Sequence, residues 1–197
     1  FTSPPYENID PESCETTLQA FAAEHIAFGK WRDRNVVDHK VAGYCAVHLS
    51  LKPTGVAPGD VTDRQLEAIA DLADRYSFSE IRVTHHQNLV LGDVKLNDLP
   101  ELWQAAKQQG FATPSIGTLV DMICCPGGDF CSLANAKSIP VAEAIQRRFD
   151  DLDYLYDLGD INLNISGCMN ACGHHHVGNI GILGVDKKGE EFYQIQL

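Results

Sequence analysis

Basic residues are scarce. The 197-residue chain carries 15 Lys and Arg against 27 Asp and Glu, a formal charge of −12 at neutral pH with histidine neutral. A surface that displaces counterions from a phosphate backbone needs positive charge, so this balance argues against nucleic acid as a partner. No apolar run approaches the ~18 residues that mark a membrane span, and no membrane partner is expected. The opening stretch Phe1–Pro11 lacks the apolar core of a secretory signal. No convincing internal repeat is present. Seven cysteines are too few for a small disulfide scaffold, and their number is odd. They suit thiolate-bound metal in a reducing, cytoplasmic setting. What is present, 44% apolar and 21% charged residues, is globular composition with enough chain for one large domain or two small ones. The missing initial Met, and a strand-like end at Glu190–Leu197 without a polar tail, suggest a piece of a longer polypeptide.

The apolar periodicity predicts a helix over Thr16–Val36, with Leu18, Phe21, Ala22, Ile26 and Phe28 near one face. Ala42–Leu51 reads as a strand, and Pro53, Gly55, Pro58 and Gly59 make Lys52–Asp60 a loop. Thr62 and Gln65 form a capping box ahead of a helix whose expected buried stripe is Leu66, Ile69, Ala70, Leu72 and Ala73. Glu80–Thr84 and Asn88–Leu91 are short strands. Asn97 or Asp98 caps a helix over Leu99–Gln109, which Gly110 ends. The order β-α-β-β-α from Ala42 to Gly110 is a ferredoxin-like pattern without its last strand, which leaves a sheet edge to be covered. Beyond it, Ser132–Arg148 reads as helical with a break before Pro140, where Ser138 caps the second part. Ile161–Ile165, Ile180–Val185 and Phe192–Leu197 read as strands, with a turn at Asp186–Gly189. The expected class is α+β: an N-terminal extension with a helix (1–38), a ferredoxin-like half-domain (39–113) and a cysteine-bearing α/β domain, incomplete at its C-terminus (114–197).

Five of the seven cysteines fall in that last block, in the stretches CCPGGDFC (124–131) and SGCMNACG (166–173). Counted from Cys125, the spacing is C-x5-C, a long gap, then C-x3-C. Four thiolates from two loops hold either zinc or a cubane iron–sulfur cluster. Zinc knuckles favour shorter separations than C-x5-C, whereas a cubane several ångströms across suits wider loops. A colourless zinc-binding module and a haem-free electron-transfer module remain the rival classes.

The motif pair, embedded in NISGCMNACGHHHVGNIGILG, resembles the sulfite/nitrite reductase haemoprotein family, which couples sirohaem to a 4Fe-4S cluster. VTDRQLEAIADLADRYSFSEIRVTHHQNLVLGDV (61–94) resembles the second ferredoxin-like half-repeat of that family, and the likeness runs from about Asp38 to Leu197. The resemblance implies Cys125, Cys131, Cys168 and Cys172 as cluster ligands, with Cys172 shared with the sirohaem iron. It implies six-electron reduction of sulfite to sulfide, or of nitrite to ammonia. Two weaker cofactor-side expectations attach to Asn170 and His174, and a third to Lys137 as a partner of a haem carboxylate. Cys124, Cys45 and Cys14 read as packing residues, and Arg82, Thr84 and Gln87 as structural. The implied partners are the N-terminal half of the same polypeptide, a small anionic substrate and an electron donor, either a flavoprotein or a ferredoxin. No Arg/Lys cluster here can hold an oxyanion, so this part alone is expected to be inactive, and in isolation it is expected to form either a two-fold dimer through the open sheet edge or a poorly soluble monomer.

Overall fold

The computed structural model describes residues 3–197; Phe1 and Thr2, the start of the expected 1–38 extension, lie outside the described residues. Two compact units emerge. The first holds the chain up to Leu51 together with Val61–Ile116; the second holds Lys52–Asp60 together with Gly117–Leu197. The N-terminal segment therefore belongs to the first unit, and the Pro/Gly loop after residue 51 belongs to the second.

In the first unit, Asp10 caps α1 (Pro11–Glu24) by accepting from the Glu12 N–H, with Pro11 in the first turn. The expected single helix is in fact two. It breaks at His25, whose backbone is not helical, and resumes as α2 (Ile26–Asn35). Leu18, Phe28 and Trp31 face the core, whereas Ile26 is exposed. Asn35 ends α2: its buried amide donates to the carbonyls of His48 (3.0 Å) and Thr113 (3.1 Å), and Val36 turns extended. The chain continues as β1 (Val36–Asp38), antiparallel to β2 (Tyr44–Leu49) with Val36 opposite Val47 and Asp38 opposite Cys45. The sheet edge left open by the sequence pattern is thus filled by a strand from before the half-domain. A dimer through that edge loses its ground.

Thr62 and Gln65 form the expected capping box at the start of α3 (Asp63–Tyr76). Its buried stripe is Ile69, Leu72, Ala73 and Tyr76; Leu66 and Ala70 are exposed, one turn off the expected face. β3 (Arg82–Val83), β4 (Leu89–Lys95) and α4 (Leu99–Gln108) follow, with a 3-10 turn at Leu96–Asp98 in place of a side-chain cap. The antiparallel sheet has the order β1-β2-β4-β3. Val47, Leu49, Leu91, Leu99 and Leu102 join the helix residues in one core.

In the second unit, β5 (Ile123–Cys124), β6 (Leu163–Ser166) and β7 (Ile180–Lys187) run parallel, and β8 (Glu190–Gln196) returns antiparallel to β7. Lys188 and Gly189, both at positive φ, make the two-residue turn of that hairpin. Between β5 and β6 lie α5 (Ile139–Arg148) and α6 (Leu152–Leu158), the latter capped by Asp151 and not foreseen from sequence. Met122, Cys124, Ala142, Leu155, Leu163, Ile165 and Ile182 form the core. Residues 132–136 are turns rather than helix. Their backbone is spent elsewhere: Asn135 and Ala136 N–H groups donate to Gly167 O (2.9 and 3.0 Å), and Ala136 O accepts from Gly128 N–H (2.9 Å).

Candidate functional site

Cys125 and Cys168 leave the carboxyl ends of the neighbouring parallel strands β5 and β6, the place where open α/β sheets bind ligands. The ladder carries on past β5, with Cys125 N–H donating to Ile165 O at 3.0 Å. The two loops then meet directly. The Gly167 N–H donates to Cys125 Sγ at 3.0 Å, and Ser138 Oγ lies 3.6 Å from the same sulfur. Ser138 sits at the start of α5 as expected, but it makes no side-chain cap there; its hydroxyl faces the sulfur instead. Donors aimed at sulfur favour thiolate and metal-bound sulfur.

The loop from Cys125 to Cys131 closes on itself through Cys131 N–H to Gly127 O (2.9 Å). Gly127 has φ +59, and a Cβ there would lie 2.5 Å from the Ser138 nitrogen, so only glycine fits. The second loop is tighter. Ala171 N–H donates to Cys168 O, His174 N–H to Ala171 O, and Gly173 N–H to Ser166 Oγ at 3.1 Å. A Cβ on Gly173 would sit 2.0 Å from the Ile165 carbonyl oxygen. Ala171 and His174 hold left-handed backbone, and the Asn164 amide clamps the loop by donating to His174 O at 3.0 Å.

All seven cysteines are free thiols. Cys125 and Cys168 are buried, Cys131 is half-buried and Cys172 is exposed. Cys124 points into the core, and its thiol donates to Cys125 O at 3.2 Å. Burial pushes that thiol up to about 12, with Cys125 adding to the rise and Lys52 opposing it. A thiol so disfavoured as thiolate suits packing. Among the described residues, no three His, Cys, Asp or Glu side chains are close enough to hold one metal ion. The four thiols Cys125, Cys131, Cys168 and Cys172 lie on two loops that meet at the Gly167–Cys125 hydrogen bond, with Cys172 open to solvent.

Asn170 and His174 are exposed beside Cys172, while Lys137 is exposed with its Nζ 3.6 Å from Asp129 Oδ1. Its backbone is also engaged, by Glu191 and by the Tyr193 hydroxyl (2.8 Å). The buried member of the histidine triplet is His175, which sequence reasoning did not separate from its neighbours. Its Nδ1 is buried without a hydrogen-bond partner, and burial lowers its proton affinity, with His176 adding to the effect. The stretch from Arg82 to Gln87 makes a turn: Asn88 N–H donates to Thr84 Oγ1, Gln87 has positive φ, and Arg82 pairs with Glu80.

Residues 42–109 match the family model described as the nitrite/sulfite reductase ferredoxin-like half domain. The chain is 31% identical over 154 residues to sulfite reductase (ferredoxin) 2 of Mycolicibacterium paratuberculosis, covering 75% of this chain and 27% of that protein. It is 26% identical to the chloroplastic ferredoxin–nitrite reductase of Arabidopsis thaliana, covering 88% and 29%. Among solved structures, the NirA protein of Mycobacterium tuberculosis superposes with a TM-score of 0.64 at 28% identity, covering 83% of this chain and 30% of that one. The chain spans under a third of the length of these relatives.

Proposed function

We propose, from the premise that this chain belongs to the sulfite and nitrite reductase family, that it is the cluster-bearing C-terminal part of an enzyme reducing sulfite to sulfide by six electrons. The observation that carries the proposal is the meeting of the two cysteine loops, sealed by the Gly167–Cys125 hydrogen bond at adjacent strand ends. Cys125, Cys131, Cys168 and Cys172 are the proposed ligands of a 4Fe-4S cluster. Cys172, the exposed thiol, would be the one shared with sirohaem, and Asn170 and His174, exposed two residues to either side of it, would be available to hold that group. A cluster held there together with sirohaem would supply stored electrons for the reduction.

This chain's own residues do three things. The Gly167 amide stabilises negative charge on the Cys125 sulfur. The buried positions of Cys125 and Cys168 keep water from their sulfurs. The exposed position of Cys172 leaves its sulfur open toward a second group. Cationic donors for the oxyanion come from the N-terminal part of the polypeptide, since the −12 charge and the Lys137–Asp129 pair leave little here to do so. Lys137 is accordingly a weaker partner for a haem carboxylate than the sequence suggested. The electron donor is a ferredoxin or a flavoprotein; the odd number of cysteines, none of them paired, supports a reducing, cytoplasmic setting.

Nitrite reduction to ammonia is a second reading favoured by the likeness to the Arabidopsis protein. The test is anaerobic purification of the full-length protein, with iron, labile sulfide and sirohaem measured, then turnover with reduced methyl viologen and either anion. Sulfite turnover with a higher kcat/KM than nitrite supports the first reading, and the reverse ratio the second. A colourless protein holding one zinc sinks both.

A further inference from the structure

One buried hydroxyl in the second unit faces a proposed ligand sulfur. Ser138 is 0% exposed. It stands at the start of α5, where a serine ordinarily caps the helix from an extended backbone. Here the backbone is already helical (φ −102, ψ −40), and the side chain caps nothing. Among the described residues the hydroxyl has one hydrogen-bond partner, Cys125 Sγ at 3.6 Å. The chain before Ser138 is threaded between the two cysteine loops. Asn135 and Ala136 N–H groups donate to Gly167 O, Ala136 O accepts from Gly128 N–H, and Lys137 bridges to Gly127. Two glycines make the room. A Cβ on Gly127 would lie 2.6 Å from Ser138 Oγ, and one on Gly167 would lie 3.0 Å from it.

Two donors from different segments thus converge on one sulfur, the Gly167 amide at 3.0 Å and the Ser138 hydroxyl. As free groups, the thiol and the hydroxyl bring two protons to a single line of contact. Only one can lie between oxygen and sulfur, and the other has no acceptor among the described residues. A metal-bound sulfur carries no proton, so the hydroxyl becomes the donor and the mismatch ends. The arrangement is matched to a ligated sulfur rather than to a resting thiol. Such a bond does more than hold the side chain. An electron entering an iron–sulfur cluster places part of its charge on the ligand sulfurs. A hydrogen bond strengthens as its acceptor becomes more negative, so a donor aimed at a ligand sulfur favours the reduced state.

We propose that Ser138 is a positioning residue that acts through Cys125: its hydroxyl donates to the ligand sulfur beside the Gly167 amide and raises the reduction potential of the bound cluster. This rests on the function proposed above. The step it favours is the uptake of one electron by the cluster from the ferredoxin or flavoprotein donor, with no bond made or broken and no proton transferred.

The test is a dithionite redox titration of the full-length, cluster-loaded protein, following the reduced-cluster paramagnetic signal. Ser138→Ala removes the hydroxyl, leaves the Gly167 amide in place, and is expected to shift the midpoint to more negative potential. Ser138→Thr restores the hydroxyl and is expected to return it toward wild type. Resonance Raman spectra give a second readout. Losing a hydrogen bond on sulfur strengthens the iron–sulfur bond, so an iron–cysteine stretching band is expected to rise in frequency in Ser138→Ala but not in Ser138→Thr. An unchanged or more positive midpoint in Ser138→Ala overturns the inference and leaves the proposed function standing. So does an equal negative shift in both variants, which marks lost packing rather than a lost donor. If Ser138→Thr assembles no cluster, the stretching band of Ser138→Ala decides, and an unchanged frequency overturns the inference. Failure of Ser138→Ala to assemble a cluster makes the hydroxyl a requirement for assembly and overturns it too. A wild-type protein that assembles no cluster overturns both the function and this inference.

Discussion

The amide of Gly167 donates to the sulfur of Cys125 across 42 residues of sequence, at 3.0 Å. The bond works because β5 and β6 are parallel neighbours, so both loops start at one level of the sheet. Replacing Cys125, Cys131, Cys168 or Cys172 singly by Ser in the full-length protein is expected to abolish cluster iron and labile sulfide. Cys124→Ser is expected to keep both, because a hydroxyl can also donate to Cys125 O; the cost in stability is about 1 kcal/mol. Iron lost from Cys124→Ser but kept in Cys125→Ser shows that the ligand register is wrong.

Gly173→Ala forces a methyl group onto the Ile165 carbonyl. The backbone of the second cysteine loop must move, at a cost of roughly 1–3 kcal/mol. The expected result is a lower unfolding midpoint with cluster occupancy reduced alongside it. Full occupancy with an unchanged midpoint contradicts the close approach.

The capping box offers a contrast in the other unit. Thr62→Ala removes the acceptor for the Gln65 N–H and is expected to cost about 1 kcal/mol in denaturant titration. Iron content is expected to stay unchanged, because Thr62 belongs to the first unit and all four thiols to the second.

His175 gives the second unit an acid sensitivity. Its proton affinity is lower in the folded chain than in the unfolded one, so the unfolded chain takes up the proton first. Stability from the neutral imidazole is intact above the unfolded value of about 6.5 and is lost as pH falls through the lower folded value. Urea midpoints measured from neutral pH downward are expected to fall, and His175→Gln is expected to flatten that fall. Equal slopes for the two proteins place the sensitivity elsewhere.

Local rules carried far in this sequence. Thr62–Gln65, the Lys188–Gly189 turn and the stripe of Ile69 and Leu72 follow from propensity and period alone. The cysteine spacing marked loops that the fold brings together at two strand ends. Where reading failed, a distant partner was responsible. Val36 looked like the end of a helix because nothing local shows that Asn35 reaches His48 and Thr113. Residues 132–136 have helical composition, yet the Gly167 carbonyl claims the N–H groups of Asn135 and Ala136. Leu66 fits the period and still faces water. Lys52 sits in a stretch of Pro and Gly that reads as exposed loop, and only its carboxylate partner Asp121, 69 residues on, explains its burial.

The passage of residues 52–60 into the second unit bears on how such genes can be shuffled. An exchange of the cysteine-bearing segment between two relatives, joined at the 116/117 boundary, would transfer Asp121 and every ligand thiol but leave Lys52 with the recipient. Unless the recipient carried a cation at that place, the hybrid would bury the Asp121 carboxylate unpaired, at a cost of about 3–5 kcal/mol. Crossovers upstream of residue 52 keep the pair together, so inheritance of this half as one long block is the course that its buried chemistry favours.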